Sequence, residues 1–130
     1  MQNIAARIVA RSPAQNHITP VLEDLHWLPV RMRVLYKLMV LTYRALAIDG
    51  TGPSYLSELL EHYKPTTTVV LRSEGRLDLP KSNLVSYGDR AFSIAAPAEW
   101  NKLPSDFKDC TSYGLFKSKL KTHLFELYYH

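Results

Sequence analysis

Residues 30–48, VRMRVLYKLMVLTYRALAI, carry the reading on which the fold depends. No proline or glycine interrupts them, and apolar side chains occupy most of the circumference of a helix drawn through them. At about 100° per residue, Arg33, Lys37 and Arg44 fall into one narrow sector. A helix patterned this way is covered on most sides and leaves a single basic stripe in water. Asp49-Gly50 and Gly52 supply its stop, and Pro29 its start. Residues 30–48 are therefore expected to form the central helix of a mainly α domain.

Shorter elements flank it. Gln2 to Val9 has Ile4 and Ile8 on one face and Arg7 and Arg11 on another, each pair at helical spacing, and Ser12-Pro13 ends the pattern. Thr19-Pro20 has the form of an N-cap followed by proline at the first helical position, opening a short helix to about Leu25. Pro53 opens another, with Tyr55, Leu56, Leu59, Leu60 and Tyr63 at core spacing before Pro65. The β-branched stretch from Thr66 to Ser86 reads as an extended arm or a small hairpin turning at Ser73-Glu74-Gly75. Ala91 to Ala96 fits strand or helix. Pro97 and Pro104 each open a turn of helix, carrying Trp100 and Phe107, and Ser112 caps a last helix to about Tyr128. Its stripe is Tyr113, Phe116, Leu120, Leu124, Leu127 and Tyr128, with Phe125 and Tyr129 lying off it. The expected architecture is a small helical domain of about five or six helices with a minor extended or β-hairpin element. Residues 1–64 and 87–130 are helical segments of one compact unit, and 65–86 is an extended or hairpin linker.

Composition narrows the class. In 130 residues, 46% hydrophobic and 22% charged, there is material for one modest core and little reason for disorder. No apolar run approaches the ~18 residues of a membrane span, so no membrane partner is expected. One cysteine, Cys110, permits no internal disulfide. With no basic-then-apolar leader pattern, the expected location is intracellular, nuclear or cytoplasmic, and not secreted. The net charge of +4 inclines the chain toward polyanions.

Catalytic signatures are missing from the sequence. The histidines at 17, 26, 62, 123 and 130 have no ligand spacing, so neither metal nor cofactor is expected. No Gly-x-Ser-x-Gly elbow and no glycine-rich phosphate loop occurs.

Several ordered motifs are more specific: QNIAARIVAR from Gln2, HITPVLEDLHWLPVR from His17, PSYL from Pro53 and YGDRAFSIAAPAEWNKLP from Tyr87 to Pro104. Together they resemble the C-terminal, thumb and post-thumb region of non-LTR (LINE-type) retrotransposon reverse transcriptases of the chicken-repeat and Jockey-like groups. The resemblance runs over nearly the whole chain. It implies a helical region that holds template RNA or a primer–template (RNA–DNA) duplex beside the polymerase palm. That family's polymerase needs an adjacent aspartate pair, and no Asp-Asp occurs here; the Cys-Cys-His-Cys knuckle of some relatives is also missing. The expectation is a fragment without catalysis of its own, whose partners are RNA, an RNA–DNA duplex, the palm region or another protein.

The candidate nucleic-acid contacts are Arg7, Arg11, Arg33, Lys37, Arg44, Lys117 and Lys121. Cations spaced along helices neutralise phosphates and release counterions. The same residues also suit a merely solvated face. Phe125 and Tyr129 read either as base-stacking platforms or as part of an apolar interface; Trp27 and Trp100 read as packing residues, and Asp89 with Arg90 as an ion pair or backbone anchor.

Overall fold

A computed structural model describes residues 1–46, 52–60, 77 and 91–130. Seven helices are present among them: α1 (Gln2–Ala10), α2 (Ile18–Asp24), α3 (Val30–Ala45), α4 (Ser54–Ser57), α5 (Phe92–Lys102), α6 (Ser105–Lys108) and α7 (Tyr113–Tyr129). The protein is thus mainly helical, with α3 at its centre as the sequence predicts. Asp49-Gly50, Tyr63, Asp89, Arg90 and the hairpin expected between Thr66 and Ser86, apart from Leu77, lie outside the described residues.

The core is organised around Phe116. Tyr43 of α3 stacks on it at 4.2 Å between ring centroids, Trp100 of α5 tilts against it at 6.0 Å, and Phe107 of α6 meets it edge-on at 6.4 Å. Three helices therefore converge on one ring of α7, in stacked, tilted and edge-on arrangements. Met39, Val40, Leu120 and Leu124 fill the space around it. The Tyr43 hydroxyl donates to the Cys110 carbonyl at 2.7 Å inside this core. Helices α3 and α7 run antiparallel: Arg44, late in α3, lies over Tyr113 at the start of α7. At the other end, the Tyr129 hydroxyl donates to the Trp27 carbonyl, just ahead of α3, at 2.8 Å.

A smaller cluster joins α1 to α2 through Ala6, Val21 and Leu22, with Trp27 and Tyr129 packed against it. Both short helices end in the same way. After α1, Arg11 takes φ 51°, with its N–H donating to Ile8 and that of Ser12 to Arg7. After α2, His26 takes φ 54°, with its N–H donating to Glu23 and that of Trp27 to Leu22. These are Schellman closures built on non-glycine residues, which satisfy the last carbonyls at the cost of a left-handed side-chain-bearing residue.

Several local expectations are corrected. Helix α2 is capped by His17, whose Nδ1 accepts from the Thr19 N–H at 3.4 Å, and Pro20 sits at the third helical position. Proline is tolerated there because the N–H groups of the first turn have no intrahelical acceptor. Pro97 does not open a helix but lies inside α5, where its ring is buried. Burial offsets the ~3 kcal/mol that an interior proline costs. Helix α4 is a single turn; Leu60 is buried beyond it, while Tyr55 and Leu59 are exposed. Ser112 occupies the cap position of α7, but its side chain makes no capping hydrogen bond.

The stripe of α7 also differs from its pattern. Phe116, Leu120 and Leu124 are buried, whereas Leu127 and Tyr128 are exposed and the off-stripe Phe125 and Tyr129 are half-buried. Past Leu124 the side of α7 that is covered is the one carrying Phe125 and Tyr129, and Leu127 and Tyr128 face away from it. The α2–α3 connection approaches from that side, stacking His26 on Phe125 at 5.4 Å and 9°.

Two further contacts hold the ends of the fold. Gln2 Nε2 donates to the Leu28 carbonyl at 2.7 Å, tying α1 to the α2–α3 connection. The Asn101 side chain bonds both the N–H and the carbonyl of Leu77 at 2.9 Å, imitating a strand neighbour. Gly52 passes close to the end of α3, where an added Cβ would collide with the Arg44 carbonyl oxygen.

Candidate nucleic-acid interface

The seven candidate cations separate into three places. Arg33 and Lys37, one helical turn apart on α3, and Lys121 on α7 line a single groove of about 850 Å³. The antiparallel pairing of α3 and α7 brings them together. Among the described residues that line the groove there is no carboxylate to neutralise the three cations.

Its remaining walls are apolar and aromatic, including Trp27, Tyr36 and His26. Val30 and Val34, interleaved with the cations on the same face of α3, are 59% and 63% exposed. The expectation that α3 leaves only a basic stripe in water is therefore corrected: two valines, Val30 and Val34, are exposed on it together with Arg31, Arg33 and Lys37. The aromatic wall is held firmly. Trp27 donates its N–H to Leu22 and accepts at its carbonyl from Tyr129, and His26 is fixed by its left-handed backbone and its stack on Phe125. Burial, together with the nearby Tyr113, raises the Tyr36 phenol above its ordinary value, so Tyr36 is a neutral hydroxyl at physiological pH.

Arg44 shares the helical sector of Arg33 and Lys37 but faces a different neighbour. Its guanidinium lies over the Tyr113 ring at 5.7 Å, and Lys117 Nζ lies over the same ring at 5.0 Å. These two cations flank an aromatic ring and are not part of the groove. Arg7 and Arg11 are further away in the fold, at the end of α1; Arg7 donates to the Pro13 carbonyl at 2.7 Å, and Arg11 serves as the left-handed closure residue.

Phe125 and Tyr129 are committed to internal packing, with ring centroids 4.5 Å apart, and neither is a free stacking platform. Trp100 is buried, as its reading as a packing residue anticipates. Trp27 both packs and borders the groove, a double role that its isolated position in the sequence does not announce. Among the described residues, no group of three or more histidine, cysteine, aspartate or glutamate side chains could hold a metal ion, and no helix is long and apolar enough to cross a membrane.

No protein-family model matches the chain, and searches of curated proteins and of solved structures return no match.

Proposed function

We propose that this chain is a non-catalytic RNA-positioning element, akin to the thumb and post-thumb region of a LINE-type reverse transcriptase, which holds the phosphate backbone of RNA or of an RNA–DNA duplex. The observation that carries this reading is the convergence of Arg33, Lys37 and Lys121 on one groove with no carboxylate among its described lining residues. The ordered motifs of the sequence supply the kinship. The action is positioning: cations neutralise phosphates and fix the register of a strand, with no bond made or broken.

The test is the affinity for a short RNA hairpin, measured by fluorescence anisotropy across a range of salt concentrations. Each phosphate neutralised contributes roughly 0.7–0.9 to the slope of log K against log salt, so replacing Arg33, Lys37 and Lys121 by alanine flattens it by about 2–3. Replacing Arg7 and Arg11 leaves the slope in place. A slope unchanged by the triple substitution removes the groove from the reading.

A second reading, a protein-interaction module with no nucleic-acid role, is favoured by α1. That helix packs inward through Ala6 while Ile4, Ile8 and Val9 remain 60% or more exposed. Such a face suits a protein partner.

A further inference from the structure

We infer that the α3–α7 groove selects unpaired nucleotides: one or two residues of a single strand enter it, with a base against Trp27 and the adjoining phosphate among Arg33, Lys37 and Lys121. This rests on the phosphate-binding reading above and specifies the ligand that reading leaves open.

Size is the first argument. A groove of about 850 Å³ lies within the ~300–1,000 Å³ range of small-molecule sites. A double helix is too bulky to enter: its major groove alone is about 12 Å wide. A duplex could only lie across the rim, whereas a flexible strand can lower a nucleotide inside.

The second argument is the chemistry of the walls. Phosphate alone needs cations, yet this groove sets Trp27 and Tyr36 beside its cations. A base presents an apolar π face a few bonds from its phosphate, and aromatic side chains among basic ones complement that pair of features. The neutral Tyr36 hydroxyl adds a donor and acceptor with no charge to repel the strand.

Rigidity is the third. The Trp27 backbone is held on both sides, by Leu22 and by Tyr129, and its side chain packs against the Ala6, Val21 and Leu22 cluster. The residue before it, His26, is held in a left-handed conformation that costs an L-residue roughly 1–2 kcal/mol. A wall ordered before binding loses little freedom when a base stacks on it.

The experiment compares an eight-residue oligouridylate, the corresponding oligothymidylate, an abasic strand of equal length and a duplex, each titrated against the full chain. Two readouts are followed, anisotropy and intrinsic tryptophan fluorescence. Trp100 is 1% exposed, so quenching on binding reports Trp27. The base-bearing single strands are expected to bind about ten-fold tighter than the abasic strand and the duplex, and to quench. Trp27→Leu is expected to remove that ten-fold preference, while Trp27→Phe, which keeps a ring, retains most of it. Preference for the oligouridylate over the oligothymidylate would mark RNA as the source of the strand, and equal binding would extend the inference to both. Equal binding of all four ligands with a steep salt slope overturns base selection and leaves the phosphate reading standing. Absence of binding by any of them overturns both. Because quenching is read on the unsubstituted protein, the result holds even if the leucine variant folds poorly.

Discussion

Replacing Tyr43 by phenylalanine tests the organisation of the core with a single atom. The Tyr43 side chain is fully buried, its ring stacks on Phe116, and its hydroxyl donates to the Cys110 carbonyl at 2.7 Å. Phenylalanine keeps the ring and the stack, so no large cavity opens. What disappears is the hydrogen bond that joins α3 to the connection between α6 and α7. An average hydrogen bond contributes about 1 kcal/mol net, and stranding a buried carbonyl costs about 1–3 kcal/mol. The expected loss is therefore about 2 kcal/mol, against a total stability of roughly 5–15 kcal/mol for a domain of this kind. With a urea m-value of about 1.5 kcal/mol/M, the midpoint followed by circular dichroism falls by a little over 1 M. Tyr129→Phe is the internal comparison. Its hydroxyl also donates to a distant carbonyl, at 2.8 Å, but at a half-buried site where water can replace it. Its expected cost is about 0.5–1 kcal/mol. If Tyr129→Phe costs as much as Tyr43→Phe, or if Tyr43→Phe leaves the midpoint unmoved, burial does not set the value of these bonds and the argument fails.

Phe116→Ala removes the α7 ring on which α3, α5 and α6 converge and is expected to cost about 3–5 kcal/mol, read as a collapse of the urea midpoint. Arg11→Gly places a glycine at φ 51° and is expected to raise stability by about 0.5–1 kcal/mol while leaving the salt slope of RNA binding unchanged. A lower midpoint would show that the left-handed closure of α1 is unstrained. Burial, followed by neighbouring Tyr113 for Tyr36 and by Tyr128 and Glu23 for Tyr129, raises both phenols above the ordinary value of 10.0. Folding therefore favours their protonated forms, so their contribution is fully present below pH 10 and is lost as pH rises through the raised folded-state values. Stability followed above pH 10 should fall less steeply in a Tyr36→Phe, Tyr129→Phe variant than in the unsubstituted chain; equal slopes would refute the assignment.

How far these features could be read beforehand depended on whether their signals were local. The α3 helix was legible because an apolar run free of proline and glycine has few other ways to bury itself. The ends of α1 and α2 were not, since the expected sign of a left-handed closure is glycine, and arginine and histidine stand there instead. Pro97 departs from the usual place of proline at a helix start, because burial of its ring offsets an interior position. Asn101 could be read only as a motif residue, because its two bonds to Leu77 cross the chain.

The candidate site divides along the same line. Periodicity alone put Arg33, Lys37 and Arg44 in one sector, since the angular position of a residue on a helix follows from counting. Which of them share a ligand-sized space depends on the neighbouring helices. The antiparallel approach of α7 brings Lys121 to Arg33 and Lys37, while it sets Tyr113 beneath Arg44; Lys117, four residues along the same helix, covers that ring by local spacing. Trp27 joins the groove because a left-handed turn at His26 and a hydroxyl from the far end of the chain hold it there. The long patterns of α3 and α7 and the angular placement of their charges are legible in the residues alone, because those depend on spacings of a few residues. Which faces meet is settled by the packing of the helices, because a groove is made of contacts between segments far apart along the chain.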